Sequence, residues 1–136
     1  MPDFGKGGKI TIRKDENAVM VDITNGEYLF YKLTAEGAVP IFAFACQHTD
    51  RLSSDKDFPG HPKSEYEWSW SKRSDESDAA IDVYVVGMAF ATAIKYTLLV
   101  EHRDKNNNKI KTLKDLDLES QVATDHFKSS IDVFKS

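Results

Sequence analysis

The chain has a single cysteine, Cys46, so no disulfide can form within it. No stretch approaches the ~20 apolar residues of a membrane-spanning helix, and the first residues, MPDFGKGGKI, lack the apolar core of a secretory signal. Acidic residues outnumber basic ones, 22 to 18, and no basic cluster is present. These absences predict a cytoplasmic protein with no membrane span and no nucleic-acid partner, although leaderless release would leave the same pattern.

Helical periodicity is also scarce, and the dominant repeat is the period of two that is typical of β-strands. The alternating segments are Lys9–Arg13, Ala18–Leu33, Ile41–Gln47, Tyr66–Lys72, Ile81–Arg103, Ile110–Ser120 and Asp125–Ser136. About eight short strands joined by polar turns predict an all-β fold with little or no helix. We expect an antiparallel two-sheet β-sandwich, jelly-roll or Ig-like, in one domain over 1–136 with a flexible lead at 1–8.

The dipeptide Asn25-Gly26 lies between two alternating runs and is a strong signal for a two-residue hairpin turn. Such a turn would pair Thr24 with Glu27 and so fix which side chains share a face. The predicted core face carries Val19, Val21, Ile23, Tyr28 and Phe30. The opposite, mixed face carries Met20, Asp22, Leu29 and Tyr31, and it suggests a partner that covers it.

Three other segments leave alternatives open or stand out by their length. We interpret 81–103 as two strand arms around Gly87, where the apolar parity changes, with a helix over Met88–Leu99 as the alternative. Consecutive asparagines in 104–109 predict a turn, and the C-terminal segment fits a strand better than a helix. The segment His48–Glu65 reads as a long charged loop, which in a small domain is usually functional or disordered.

The segment YEWSWSK contains both tryptophans of the chain, and in a strand Tyr66, Trp68 and Trp70 project to one side. Their opposite neighbours are glutamate and serine, so the aromatic side is the natural inside of a sandwich. The alternative is a flat platform that stacks a sugar ring or a base, with at least one ring exposed near the preceding loop.

Two constellations of chemically active residues are present but poorly arranged. Cys46, His48 and Asp50 supply a nucleophile, a base and an acid by type, yet residues on one strand cannot converge as a triad does. His48, Asp50 and His61 also lie in the long loop with other acidic residues, but their spacing matches no metal-binding pattern. We therefore predict no catalytic residue, no metal site and no cofactor.

These observations favour a non-enzymatic binding module that holds a glycan or a protein partner through loop residues and aromatic side chains. The predicted ligand-binding residues are Tyr66, Trp68, Trp70, His48, Asp50 and His61. One alternative is a self-associating assembly subunit, a homo-oligomer, suggested by the apolar residues on the mixed face. Another is a small enzyme whose site lies beside the 48–65 loop.

Overall fold

The computed structural model describes residues 12–24, 26–35, 41–47, 50–58, 64–72, 78–88, 95–119 and 124–134. This part of the chain contains eleven strands and no helix. The strands are β1 (Arg13–Lys14), β2 (Val19–Asp22), β3 (Tyr28–Ala35), β4 (Ile41–Gln47), β5 (Asp50–Arg51), β6 (Ser54–Phe58), β7 (Ser64–Trp70), β8 (Ala79–Met88), β9 (Lys95–Arg103), β10 (Lys109–Glu119) and β11 (Thr124–Phe134).

The strands form two packed sheets, which confirms the predicted all-β sandwich. The first, sheet A, has the order β1-β11-β8-β4-β5, with β2 also paired to β11. The second, sheet B, has the order β10-β9-β3-β7-β6. Pairing is antiparallel except on one edge of β11, where β1 and then β2 run parallel to it. The predicted flexible lead at 1–8 lies outside the described residues.

The core lies between the sheets and follows the strand period of two. In β3, for example, Leu29, Tyr31 and Leu33 are buried while the residues between them are only half-buried. Ile81 and Val83 of β8 face them from sheet A and are fully buried. The Trp70 indole of β7 donates a hydrogen bond to the Gln47 side chain of β4. Polar as well as apolar contacts therefore join the two sheets. Burying such apolar faces contributes roughly 25 cal/mol per Å² of area removed from water.

The chain turns between Thr24 and Glu27, but the predicted hairpin is wrong. The Glu27 amide donates to the Thr24 carbonyl at 3.0 Å, and Gly26 has a φ of 90°, which glycine adopts without strain. The two strands that the turn joins do not pair, because β2 joins sheet A and β3 joins sheet B. The turn therefore passes the chain from one layer of the sandwich to the other.

This change of layer inverts the predicted face of β3. Leu29 and Tyr31, which we assigned to an outer mixed face, are core residues with 0% and 1% of their surface exposed. Tyr28 and Phe30, which we assigned to the core, lie on the opposite side of the strand and are only half-buried. The assignment on β2 is correct for Val21, which is buried, and Met20 on the other side is exposed.

The prediction of a long loop over 48–65 is wrong, because this segment contains strands. Strands β5 and β6 lie within it, and β7 begins at Ser64. The helix alternative over 88–99 is wrong at both ends, since Met88 ends β8 and 95–99 belong to β9; 89–94 lie outside the described residues. The turn at 104–109 is confirmed, with Asn107 at a φ of 66°, and so is the C-terminal strand.

A buried ion pair connects the two sheets at one edge. Lys114 points inward from β10, and its ammonium donates to Asp15 Oδ2 at 2.5 Å, Ser129 Oγ at 2.9 Å and the Ser130 carbonyl at 2.8 Å. Only 2% of the Lys114 side chain and 4% of the Asp15 side chain are exposed. Since an ammonium has three protons, all of its donors are satisfied.

The carboxylate of this pair is equally well satisfied. Asp15 accepts from Ser129 Oγ at 3.0 Å and from the backbone amide of Asn17 at 3.0 Å, in addition to Lys114. Burial by itself raises the pKa of Asp15, but the hydrogen bonds from Lys114, Asn17 and Ser129 outweigh it, so this pKa lies below its ordinary value. Asp15 therefore stays ionised at neutral pH although its side chain is buried.

Replacing Lys114 with methionine is expected to lower the free energy of unfolding by about 3–5 kcal/mol, because Asp15 is left as an unpaired buried carboxylate. Adding Asp15→Ala to Lys114→Met recovers most of that loss, since no buried charge remains. Urea unfolding followed by tryptophan fluorescence measures both. Lys109→Met, an exposed change on the same strand, shifts the value by no more than about 0.5 kcal/mol. Additive losses in the double variant would contradict the interpretation.

Tyr31 provides a second test of the core. Its hydroxyl is buried with no hydrogen-bond partner among the described residues. We expect Tyr31→Phe to leave the free energy of unfolding unchanged or raise it by about 1 kcal/mol. In contrast, Tyr96→Phe should lose about 0.5–1.5 kcal/mol, because Arg13 donates to its hydroxyl at 3.0 Å. Equal losses in the two variants under urea unfolding would show that the Tyr31 hydroxyl has a partner.

Candidate functional site

The predicted aromatic stripe lies in the core. Tyr66, Trp68 and Trp70 have 3%, 1% and 4% of their surface exposed. The first two rings stack at 5.7 Å between centroids, and the Trp70 indole donates to Gln47 Oε1 of sheet A at 2.9 Å. Of the two alternatives for this stripe, the core arrangement is the one observed. The rings have at most 4% of their surface exposed, and Trp70 also borders a surface pocket with Tyr28 and Lys72. A ligand-binding role for these residues stays a prediction.

The other predicted ligand-binding residues are dispersed or lie outside the described part of the chain. His48 and His61 belong to undescribed segments, and Asp50 is exposed at the start of β5. Among the described residues, no group of three histidine, cysteine, aspartate or glutamate side chains is placed to hold a metal ion. The prediction that the segment 48–61 holds no metal ion stays untested, because His48 and His61 lie outside the described residues.

Cys46 is a buried thiol with 8% of its surface exposed. Burial raises the pKa of the thiol, and the nearby carboxylate of Asp82 raises it further, while Arg51 acts in the opposite direction. A raised pKa lowers the fraction of reactive thiolate at neutral pH. The environment is the reverse of the electropositive setting that activates a catalytic cysteine.

The outer face of sheet A carries two aromatic side chains that the sequence analysis did not single out. Phe44 of β4 and Tyr84 of β8 are register partners, and their rings stack at 5.0 Å between centroids with 19° between planes. The guanidinium carbon of Arg51 lies 5.4 Å from the centre of the Phe44 ring, and the ammonium of Lys128 lies 5.5 Å from that of Tyr84. We call these four side chains the aromatic row.

Asp82 holds one end of the aromatic row in place. Its carboxylate accepts from Ser130 Oγ at 2.5 Å and lies 3.8 Å from the Lys128 ammonium. Lys128 is therefore held between a carboxylate and the Tyr84 ring. At the other end Arg51 is exposed, and among the described residues no ion pair to it is found. The row thus has one neutralised and one accessible cation.

The geometry of the row determines what it can bind. Phe44 and Tyr84 cover each other on one face, and the two cations lie over the remaining faces, so the rings present their edges to solvent. Ring edges carry a partial positive charge and attract carboxylates and carbonyl oxygens. The N–H groups of a guanidinium that stacks on a ring remain free to bind a carboxylate with two hydrogen bonds.

Sequence reasoning missed the row because β4 is apolar on both sides, and because Val86 follows Tyr84 on the side of β8 that also carries Asp82. In the segment IFAFACQ, Ala43 and Ala45 face the core while Phe44 faces outward. The alternation of small and large residues in β4 could have indicated that Phe44 faces outward, because small side chains on the core side leave room for the bulky side chains of sheet B. Tyr84 similarly alternates with Val83 and Val85, both buried.

A second feature lies at the open edge of the sandwich beside the Lys114–Asp15 pair. A cleft of about 430 Å³ separates the segment 13–17 of sheet A from Leu116 and Leu118 of β10, and Phe127 forms its floor. Arg13 crosses this floor, with its guanidinium carbon 5.7 Å from the centre of the Phe127 ring. We call this feature the edge cleft.

No family model, curated protein or solved structure matches this chain. In the described part of the chain, no helix is long and apolar enough to cross a bilayer. Any function must therefore be argued from the chemistry of the two surface features.

We expect Cys46 to react with a disulfide reagent much more slowly in the folded protein than in urea. The pKa of the thiol is raised by burial and by Asp82, and each unit of that rise lowers the thiolate fraction at pH 8 about tenfold. The measurement is the rate of thionitrobenzoate release from native and unfolded protein at pH 8. Equal rates would show that the thiol is accessible and ionised.

Proposed function

We propose that this protein is a non-enzymatic binding module that uses the aromatic row on the outer face of sheet A to hold a protein partner. The observation that carries the proposal is the row itself: two stacked rings between two cations on a solvent-facing sheet. Aromatic residues and arginine are enriched at the centres of protein interfaces, where they supply most of the binding energy.

The orientation of the rings favours a protein over a glycan. A sugar ring stacks on an open aromatic face, whereas the faces of Phe44 and Tyr84 are covered by each other and by the cations. A protein surface that carries carboxylates fits better, because it pairs with the guanidinium of Arg51 and with the ring edges at the same time. Aspartate or glutamate next to small apolar residues is therefore the chemistry expected of the partner.

The self-association alternative loses part of its support. Leu29 and Tyr31, two residues of the predicted outer face, are buried in the core. Met20 remains exposed at 67%, but one exposed side chain is ordinary for a soluble surface. The enzyme alternative gains no support from metal ligands, because no three histidine, cysteine, aspartate or glutamate side chains of the described residues are grouped to hold a metal ion.

Photocrosslinking from a defined position tests the proposal. A photoreactive phenylalanine analogue replaces Tyr84 in the protein expressed in its source cells. The expected result is one discrete adduct, which disappears when Arg51→Glu is added because the cation becomes a repelling carboxylate. The crosslinked protein, identified by mass spectrometry and purified, should then bind the unmodified chain, with its Kd raised at least about tenfold by Tyr84→Ser.

The matched control places the same analogue at Ser69 of β7, an exposed position on the outer face of sheet B. An adduct that forms equally from Ser69, or that survives Arg51→Glu, would contradict a specific interface at the row. Retention on a glycan array that depends on Tyr84 would overturn the protein partner in favour of a sugar. Urea unfolding of each variant checks that it remains folded, as expected for changes on a solvent face.

A further inference from the structure

The edge strand β10 has two halves with different properties. In 109–114 the register with β9 shifts twice, at Lys109/Lys111 and at Thr112/Lys114, and Lys114 points inward. Bulges and inward-pointing charges are devices that prevent an edge strand from pairing with another chain. From Lys114 to Glu119 the register is regular, and among the described residues no strand pairs with the free side of β10.

The edge cleft runs beside this regular half. Leu116 and Leu118 face the cleft and are only half-buried, although they pack against the core. A strand added to the free side of β10 would direct every second side chain over these leucines, toward the segment 13–17 on the opposite wall. The cleft is therefore of the kind that alternate apolar side chains of an extended segment can fill.

The outward side of the same half is acidic. Asp115, Asp117 and Glu119 alternate with the leucines and are all exposed. Like charges placed opposite each other on neighbouring strands destabilise the pair, whereas opposite charges stabilise it. Two acidic halves from two copies of the chain would repel each other, but lysine or arginine at alternate positions of an added strand would be attracted.

We propose that the half-strand Asp115–Glu119 and the edge cleft bind an extended segment of a partner protein, in which basic residues alternate with apolar ones, as an additional strand of sheet B. The apolar side chains enter the cleft over Leu116 and Leu118, and the basic ones pair with the three carboxylates. This site is separate from the aromatic row on sheet A, so either can fail without the other.

A synthetic peptide serves as the probe. A fluorescein-labelled nonapeptide in which lysine and valine alternate, capped at both ends, is titrated with the protein, and its fluorescence anisotropy is followed. We expect saturable binding. Asp117→Lys should raise the Kd about tenfold or more, since an attractive pair becomes a repulsive one. Asp132→Lys makes the same charge change on the exposed outer face of sheet A and should leave the Kd within about twofold.

Two further peptides separate strand addition from charge attraction alone. One has the same composition with lysines and valines in separate blocks, and the other has every second amide N-methylated, which removes its donors on one edge. Both should bind at least about tenfold more weakly than the alternating peptide. Equal binding of the three peptides, loss of affinity in Asp132→Lys equal to that in Asp117→Lys, or no saturable binding would overturn the proposal.

Discussion

This edge of the sandwich depends on the ion pair and hydrogen bonds that the buried ammonium of Lys114 makes. A buried charge is stable only when its hydrogen bonds are complete. The ammonium of Lys114 has three acceptors, which are Asp15, Ser129 and the Ser130 carbonyl. The first belongs to the N-terminal segment, the other two to β11 of sheet A, while the lysine itself belongs to sheet B. The parallel pairing along β11 is interrupted where these groups meet. Lys14 at the end of β1 pairs with Lys128, and Val19 at the start of β2 pairs with Ile131. Asp15 lies between the two strands, and its amide donates to the Lys128 carbonyl at 2.9 Å.

The same lysine also divides the edge strand into a protected half and a regular half. Because Lys114 turns inward, no apolar side chain occupies that place, and the two register shifts before it disturb the edge with which a second chain would have to pair. Beyond Lys114 the inward positions return to Leu116 and Leu118, and regular pairing with β9 resumes. The position of one buried charge thus decides where along the edge another strand can be accommodated.

The period of two predicts the fold class because it depends only on one face of each strand being buried. It predicts less about which strands are neighbours. The dipeptide Asn25-Gly26 indicates a turn through its backbone preferences alone, and such a turn can join the strands of a hairpin or connect two layers. The sequence therefore could not predict which strands pair with β3 or which of its side chains face the core. Charged sequence likewise hid β5 and β6, since edge strands carry the polar residues that are typical of loops. Phe44 and Tyr84 were missed for the opposite reason, because apolar residues on both sides of a strand resemble full burial.

The outer faces of the two sheets differ in how their cations are paired with rings and carboxylates. The packing of the core does not require this difference. On sheet B, Arg103 lies 3.8 Å from the centre of the Phe30 ring, and Glu101 accepts from its guanidinium at 3.0 and 2.7 Å, so ring, cation and anion satisfy one another. On sheet A the corresponding carboxylate, Asp82, lies beside Lys128 and Ser130, at one end of the row. Both arrangements contribute cross-strand stability of about 0.2–1 kcal/mol per pair, so stability alone does not explain why Arg51 stacks on a ring without an ion pair to any described residue. In the function that we propose, a carboxylate supplied by another protein would complete on sheet A the same three-part contact that sheet B makes within itself.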